Sequence, residues 1–134
     1  MRTEYLVGDF MTIDPIVTSP DARLEDAERL LDLYGISGLP VVDEGGRLVG
    51  VISQTDLLRG GADVHGAVRK RFTGLRVGEV MTSPAATVDI STPLGEAARL
   101  MVNEKIHRVV AVNDAGMPVG VLSSMDFVSL YAEG

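Results

Sequence analysis

The feature that most constrains the fold of this chain is an internal repeat. Residues 50–58 read GVISQTDLL and residues 120–128 read GVLSSMDFV, so the same Gly, Val, Ser and Asp recur seventy positions apart. Over the longer stretches 36–58 and 106–128, eight of the twenty-three positions are identical. Identities that keep their order over such a distance are the signature of a duplicated structural unit. The sequence therefore predicts two copies of one supersecondary unit.

The repeat also sets the predicted domain boundaries. VGDFMT at 7–12 matches VGEVMT at 77–82 in four of six positions, so each copy opens with this segment. A unit of about 55 residues buries too little apolar surface to be stable alone, and we expect the two copies to pack against each other. The predicted organisation is a first repeat, a linker and a second repeat, at residues 1–59, 60–76 and 77–134.

Each copy contains one clear amphipathic helix. In DARLEDAERLLDLYG (21–35) the apolar residues follow helical spacing, and STPLGEAARLMVNEK (91–105) repeats the pattern. Asp21 and Ser91 are the predicted N-caps. Gly35 stands where a helix C-terminal glycine is expected.

Short apolar runs on either side of this helix are typical of strands. PIVT (15–18) and AATV (85–88) precede it, and two further runs follow it in each copy around DEGG and NDAG, which predict hairpins. A last helix is predicted to begin at Ser53 and at Ser123. The order is β-α-β-β-α in each copy. This order predicts an α+β fold with sandwich-like layers, in which the two repeats pack with pseudo-two-fold symmetry around a cleft.

Composition excludes several functional classes. Cysteine is absent, which removes disulfides and thiolate catalysis and fits a reducing compartment, so we predict a cytoplasmic protein. No apolar run approaches the roughly 18 residues of a membrane-spanning helix, so no membrane association is predicted. No catalytic triad, phosphate-binding loop or metal-ligand spacing occurs, so no enzyme is predicted. The net charge of −7 disfavours nucleic-acid binding, although Arg69, Lys70 and Arg71 form a basic patch near Arg76.

The repeated Ser-x-x-Asp has two interpretations. Ser53 with Asp56, and Ser123 with Asp126, match a capping box that satisfies free N–H groups at a helix start. The same geometry places a hydroxyl, backbone N–H groups and a carboxylate at a helix N-terminus, which suits a phosphate and the hydroxyls of a ribose. Because a capping residue can also face a ligand, both interpretations stay open.

The whole chain, over about residues 7–131, resembles a pair of CBS (cystathionine β-synthase) domains. The resemblance rests on VGDFMT and VGEVMT, on ISGLPVVDEGGRLVGVISQTDLL (36–58) and on IHRVVAVNDAGMPVGVLSSMDFV (106–128). In that family the Gly-x-x-Ser/Thr-x-x-Asp segment binds nucleotides, with the Asp on the ribose and the hydroxyl near phosphate. The resemblance therefore implies that both serines and both aspartates hold an adenosine-type ligand in the cleft between the repeats.

The resemblance implies further ligand contacts. The opening Thr and the first strand of each copy would line the adenine pocket, and the Ser-Gly or His-Arg pair before each hairpin would reach the ligand, the Arg adding a strong contact to phosphate. Other roles stay open: a turn residue for each Thr, a core position for Ile36 and a solvated edge for the His-Arg pair. Because only the second copy carries that pair, unequal sites are expected. The implied residues are Thr12, Thr82, Pro15, Ile16, Ile36, Ser37, Pro40, His107 and Arg108.

The function implied by the resemblance is that of a regulatory ligand-binding module. AMP, ADP, ATP, S-adenosylmethionine or NAD would bind without a required cofactor, with Mg²⁺ accompanying ATP. Binding would favour one conformation and change the activity of a regulated protein, either a separate partner or a longer chain that contains this sequence. A homodimer of repeat pairs is expected through the closing helices DLLRG and DFVSLYAEG. Two alternatives stay open: a ligand-free dimerisation scaffold and, disfavoured by charge, a nucleic-acid-binding protein that uses the basic patch.

Overall fold

The computed structural model describes residues 5–62 and 74–133, and for residues 59–62 the backbone alone. The chain divides into two compact units. The first unit is Ile16–Ala85, and the second unit combines Met1–Pro15 with Ala86–Gly134. Each unit therefore contains the main part of one repeat together with the segment that opens the other repeat. The domain boundaries given above stay a prediction.

A short helix opens each copy, and from the long helix onward the elements follow the predicted order α-β-β-α. In the first copy they are α1 (Val7–Phe10), β1 (Thr12–Ile13), α2 (Leu24–Tyr34), β2 (Gly38–Val42), β3 (Leu48–Ser53) and α3 (Gln54–Ala62). In the second copy they are α4 (Val77–Val80), β4 (Thr87–Val88), α5 (Leu94–Glu104), β5 (Arg108–Val112), β6 (Pro118–Ser123) and α6 (Ser124–Glu133). The predicted α+β class with two repeats is confirmed.

The second unit is built on a four-stranded sheet in the order β1-β6-β5-β4. β5 and β6 form the antiparallel hairpin predicted around NDAG, and β4 pairs with β5 in parallel. β1 comes from the opening segment of the first copy and pairs with β6 in antiparallel orientation. The sequence pattern does not predict this pairing, because two residues are too few to show the alternation of a strand.

The first unit has the same pairings over fewer residues. β2 and β3 form the hairpin predicted around DEGG. Thr18 bridges Val41 in parallel, and Thr82 bridges Val51 in antiparallel orientation. The strands predicted at 15–18 and 85–88 are therefore shorter than expected: one residue of the first run and two of the second run are paired.

The helices α2 and α5 begin two residues later than the sequence predicts. The N-caps predicted at Asp21 and Ser91 are therefore wrong, because both residues lie in the turns before the helices. The N–H of Asp21 donates to the Ser19 hydroxyl at 3.1 Å. Ser91 donates both its N–H and its hydroxyl to the Asp89 carboxylate. Gly35 ends α2 in the left-handed region, at φ 62°, as predicted.

Each unit has its own aliphatic core, and the opening segments contribute to both. Val77 is fully buried in the core of the first unit, and Val7 is fully buried in the core of the second unit. A helix of four residues is not stable by itself, so the burial of these valines holds α4 and α1 in place. The first core consists of Leu24, Ala27, Leu31, Leu39, Val41, Ile52, Leu57 and Val77. The second consists of Val7, Leu94, Ala97, Met101, Val109, Ala111 and Leu122.

Gly50 and Gly120 lie where the opening segment of the other copy crosses each hairpin. A Cβ at Gly50 would lie 2.8 Å from the Thr82 carbonyl oxygen, and a Cβ at Gly120 would lie 2.8 Å from the Thr12 carbonyl oxygen. A carbonyl in a paired segment cannot move without disturbing the pairing. We therefore expect Gly120→Ala to lower the free energy of unfolding by about 1–3 kcal/mol, the usual range for overpacking.

A matched control for this prediction is Gly95→Ala in α5. An added Cβ there would meet only the flexible end of a side chain, at 3.7 Å. Because Ala favours a helix over Gly, we expect this change to be neutral or to stabilise by up to about 1 kcal/mol. Urea unfolding followed by circular dichroism measures both variants. Equal effects of the two substitutions would show that the crossing at Gly120 is not tight.

Candidate functional site

In the first unit, Ser53 and Asp56 form a closed hydrogen-bonded pair at the start of α3. The Asp56 carboxylate accepts hydrogen bonds from the Ser53 N–H and the Ser53 hydroxyl, both at 3.0 Å. The Asp56 N–H donates to the Ser53 hydroxyl oxygen at 3.2 Å. Asp56 is only 2% exposed, and Ser53 is buried as well. The capping box predicted from the sequence is therefore present in this copy.

A third residue, Thr82, completes the network around Asp56. The Thr82 hydroxyl donates to Asp56 Oδ1 at 2.9 Å. Two backbone hydrogen bonds with Val51, at 2.9 and 3.0 Å, hold Thr82 beside β3. The Thr that opens the second copy thus contacts the Asp of the first copy. The sequence does not show this contact, because no local pattern links residues 26 positions apart. We refer to Ser53, Asp56 and Thr82 as the Asp56 site.

The second unit contains the corresponding pair in a more open form. Asp126 Oδ2 accepts from the Ser123 N–H at 2.7 Å and from the Ser123 hydroxyl at 3.3 Å. Both residues are partly exposed, and Thr12 is exposed, like its counterpart Thr82. Asp126 Oδ1 accepts no hydrogen bond from any residue within 5–62 and 74–133. We refer to Ser123, Asp126 and Thr12 as the Asp126 site.

The residues before each hairpin lie next to the helix start of their own copy. Ser37 precedes β2, and its carbonyl accepts the N–H of Gln54 at 3.0 Å. His107 precedes β5, and its carbonyl accepts the N–H of Ser124 at 2.8 Å. The Ser37 and His107 side chains are exposed, while Arg108 is half-buried as the first residue of β5. The structure therefore brings Ser37 to the start of α3 and the His-Arg pair to the start of α6.

The other predicted contacts are mainly packing residues. Ile16 and Ile36 are half-buried and pack against the first core, so Ile36 is partly a core residue, as one of its two interpretations predicts. Pro40 is buried in β2, opposite Val51 in β3. Pro15 lines a cavity of the second unit. These side chains offer apolar walls rather than polar contacts.

The cavity that Pro15 lines has a volume of about 680 Å³ and an acidic lining. Asp14, Asp89 and Asp114 are among the residues that line it. Hydrogen bonds from the hydroxyl and the N–H of Ser91 lower the pKa of Asp89 below its usual value, so this group is ionised at neutral pH. Three carboxylates repel a phosphate. This lining makes the cavity less favourable for a phosphate than the two helix starts, where backbone N–H groups carry partial positive charge.

The basic patch at Arg69–Arg71 lies outside the residues that the structure describes, as does His65. Within 5–62 and 74–133, no three His, Cys, Asp or Glu side chains come together in a group that would hold a metal ion. In the same ranges, every helix is too short or too polar to cross a bilayer.

A family model described as "CBS domain" matches the chain twice, at residues 7–63 and 77–133. The two matched ranges begin at the two opening segments. The first ends one residue past α3, and the second ends at the last residue of α6. They cover most of the chain and both copies of the repeat.

Curated relatives match the chain over nearly its whole length. The CBS domain-containing protein CBSX2, chloroplastic, of Arabidopsis thaliana is 34% identical, over 89% of this chain and 60% of the relative. The uncharacterized protein MJ1225 of Methanocaldococcus jannaschii is 32% identical, over 95% of this chain and 47% of the relative. Inosine-5′-monophosphate dehydrogenase of Bifidobacterium longum is 30% identical, over 88% of this chain and 21% of the enzyme. The chain thus spans less than two thirds of the length of each of these relatives.

Solved structures share the fold over nearly the whole chain. The crystal structure of CBSX2 in complex with AMP aligns with a TM-score of 0.84 at 32% identity, over 96% of this chain and 97% of that chain. The CBS domain pair of protein MJ0100, in complex with 5′-methylthioadenosine and S-adenosyl-L-methionine, aligns with a TM-score of 0.85 at 27% identity, over 98% of both chains. The ligands of these two proteins all contain adenosine.

Proposed function

The chain belongs to the CBS domain family, and on this basis we propose that it is a regulatory module that binds adenosine-type ligands at the Asp56 and Asp126 sites. One observation carries the proposal. In both copies a carboxylate is held at a helix start by the hydroxyl and the N–H of the serine three residues before it. This is the segment in which the family resemblance implies the ribose contact.

The chemistry of these helix starts suits a nucleoside with a phosphate. The two ribose hydroxyls are donors, and hydrogen bonds to an ionised carboxylate are worth about 1.5–3 kcal/mol each. The N-terminus of the helix carries partial positive charge and N–H groups that attract phosphate. The Asp would thus bind the sugar while the helix start binds the phosphate. In the second copy, Arg108 would add a charged contact to the phosphate.

The ligand class is supported by what the two solved relatives bind. CBSX2 binds AMP, and the MJ0100 domain pair binds 5′-methylthioadenosine and S-adenosyl-L-methionine. Since adenosine is common to all three ligands, the group on the 5′ carbon would select among AMP, ADP, ATP, S-adenosylmethionine and NAD. The proposal requires no cofactor, and Mg²⁺ would accompany ATP. The cytoplasmic location stays a prediction.

Regulation would follow from linkage between ligand binding and conformation. A ligand that binds one conformation more tightly shifts the population toward it, and the shift is limited by the ratio of the two affinities. A regulated protein that distinguishes the two conformations would respond to the ligand. The dehydrogenase relative matches over only 21% of its length, so its activity is not part of this proposal.

The regulatory module would act as a homodimer formed through α3 and α6. In α6 none of the residues is fully buried, and Met125, Val128 and Tyr131 are exposed apolar or aromatic side chains. Leu58 of α3 is exposed as well. We expect the double variant Val128→Asp, Tyr131→Asp to be monomeric, because a charge in an apolar interface is costly to bury.

Light scattering coupled to size-exclusion chromatography measures this change in mass. Val102→Asp is the control, because Val102 is an exposed valine on α5, outside the proposed interface, at 75% exposure against 56% for Val128. The control is expected to elute as a dimer together with the unmodified protein. A monomeric unmodified protein, or a dimeric double variant, would exclude this interface.

Titration calorimetry with AMP, ATP, S-adenosylmethionine and NAD tests the proposed function. At least one of these compounds is expected to bind and to raise the thermal stability of the chain, since a ligand present at 100 times its Kd stabilises the folded state by about 2.7 kcal/mol. Guanosine monophosphate is the control for the base. Absence of binding by every adenosine compound would leave the dimerisation scaffold as the function.

A further inference from the structure

We propose that the two sites differ in the order in which they fill: an adenosine ligand binds first at the Asp126 site, and the Thr82 hydroxyl competes with the ligand at the Asp56 site. The inference rests on the proposed function and identifies the residue that opposes binding at one of the two sites. It depends on a difference between the two copies that neither Ser-x-x-Asp motif reveals by itself.

At the Asp56 site, each carboxylate oxygen already has a partner within the first unit. Oδ2 accepts the N–H and the hydroxyl of Ser53, and Oδ1 accepts the hydroxyl of Thr82 at 2.9 Å. Since Asp56 is only 2% exposed, a ribose hydroxyl reaches this carboxylate only if the Thr82 hydroxyl moves away. The Thr82 backbone is fixed by its two hydrogen bonds with Val51, so the required movement is a rotation of its side chain.

At the Asp126 site, the same residue types leave one oxygen open. Oδ2 is occupied by Ser123, and Oδ1 accepts no hydrogen bond from the described part of the chain. Asp126 is partly exposed, and Thr12, which is exposed as Thr82 is, donates no hydrogen bond to it within residues 5–62 and 74–133. A ribose hydroxyl can therefore donate to Asp126 Oδ1 without breaking a bond within the protein.

The contrast is not caused by a different backbone register. Thr12 lies opposite Val121 in β6, and Thr82 lies opposite Val51 in β3, which are equivalent positions of the two hairpins. The equivalent Thr and Asp residues are therefore hydrogen-bonded in the first unit, as Thr82 and Asp56, whereas in the described part of the second unit Thr12 and Asp126 are not. A hydrogen bond to a charged group changes affinity by roughly ten- to a hundred-fold, so the Asp56 site is expected to bind more weakly by about that factor.

Calorimetric titration of AMP into the full chain and into two matched variants tests the order of filling. Asp126→Asn and Asp56→Asn keep the side-chain volume and an oxygen that caps the helix, while both remove the charge. We expect two binding steps in the unmodified protein, separated by tenfold or more. Asp126→Asn is expected to weaken the tighter step by at least tenfold, and Asp56→Asn to leave that step unchanged. Circular dichroism confirms that both variants are folded.

A second pair of variants tests the competition by Thr82. Thr82→Val removes the hydroxyl at nearly constant volume, so the ligand no longer displaces a hydrogen bond at Asp56. We expect the weaker step to tighten by about tenfold or more and to approach the tighter one. Thr55→Val is the control, because Thr55 is an exposed residue of α3 beside Asp56 and is not part of either site. It is expected to leave both steps unchanged.

The outcomes separate this inference from the proposed function. Loss of the tighter step in Asp56→Asn, two steps of equal affinity, or an unchanged weaker step in Thr82→Val would each overturn the inference while leaving nucleotide binding in place. Absence of AMP binding to the unmodified protein, with no binding of the other adenosine compounds, would overturn the proposed function and the inference with it.

Discussion

Replacing Leu24 with Ala is expected to lower the free energy of unfolding by about 2–5 kcal/mol, whereas the same replacement at Leu33 should change it by less than about 0.5 kcal/mol. Both leucines belong to α2, but Leu24 is 0% exposed in the first core and Leu33 is 70% exposed. The truncation at Leu24 removes buried apolar surface and leaves a cavity. At Leu33 it removes atoms that already face water.

Urea unfolding followed by circular dichroism measures both changes with the same residue type in the same helix. Helix propensity therefore cancels between the two variants, and the difference reports burial alone. Because the chain consists of two compact units, the unfolding curve should first be tested for a single transition. Similar destabilisation by the two substitutions would show that α2 does not pack on the hairpin through the Leu24 face.

Asp56→Ala is expected to lower the free energy of unfolding by about 2–4 kcal/mol in the absence of ligand. The change removes the capping box, worth about 1 kcal/mol, and it leaves the buried Ser53 N–H without its acceptor, while the hydroxyl of the exposed Thr82 loses its hydrogen bond to the carboxylate. An unsatisfied buried donor costs about 1–3 kcal/mol. Thermal and urea unfolding of the variant measure the sum of these effects.

Asp126→Ala is the matched control for this effect. Its carboxylate is partly exposed and is bonded only to Ser123 within the described residues, so the expected loss is that of a helix cap alone, about 1 kcal/mol. Asp56→Ala should therefore lower the free energy of unfolding more than Asp126→Ala does, because Asp56 is the more buried of the two aspartates. Equal losses would mean that Thr82 does not contribute to the network of Asp56.

Much of the fold could be predicted from the sequence because the repeat shows the pattern of each helix and strand twice. The turns DEGG and NDAG stand between matching apolar runs, so both hairpins could be predicted, and Gly35 marks the end of α2. The first residues of α2 and α5 were harder to predict. Asp21 and Ser91 have the composition of N-caps but form the preceding turns, since a hydroxyl or carboxylate partner lies two residues before each of them.

The exchange of the opening segments could not be predicted. Val7 and Val77 are each the start of one repeat, yet they are buried in the core of the unit that contains the other repeat. Long-range packing of this kind leaves no periodic pattern, because it joins residues that are far apart in the chain. The partnership of Thr82 with Asp56 follows from this exchange and was not accessible to motif analysis for the same reason.

The capping-box interpretation of Ser-x-x-Asp fits the first copy fully, whereas the second copy also leaves room for the ligand-binding interpretation. At Asp56 the hydrogen bonds are those of a complete capping box, which is the structural interpretation. At Asp126 the contacts to Ser123 remain, and one carboxylate oxygen stays open to a ligand. The residues themselves are identical, so only the burial and the hydrogen bonds in the structure distinguish them.

The measurement that tests the role of the carboxylates most directly compares the affinity of the full chain for AMP and for 2′,3′-dideoxy-AMP. The two compounds differ only in the hydroxyls that would donate to an aspartate. If a carboxylate binds the ribose, calorimetry should give a Kd for the dideoxy compound that is larger by roughly ten- to a hundred-fold, and Asp126→Asn should remove most of the difference at the tighter site. Equal affinities for the two compounds would contradict the assignment of these aspartates to nucleoside binding.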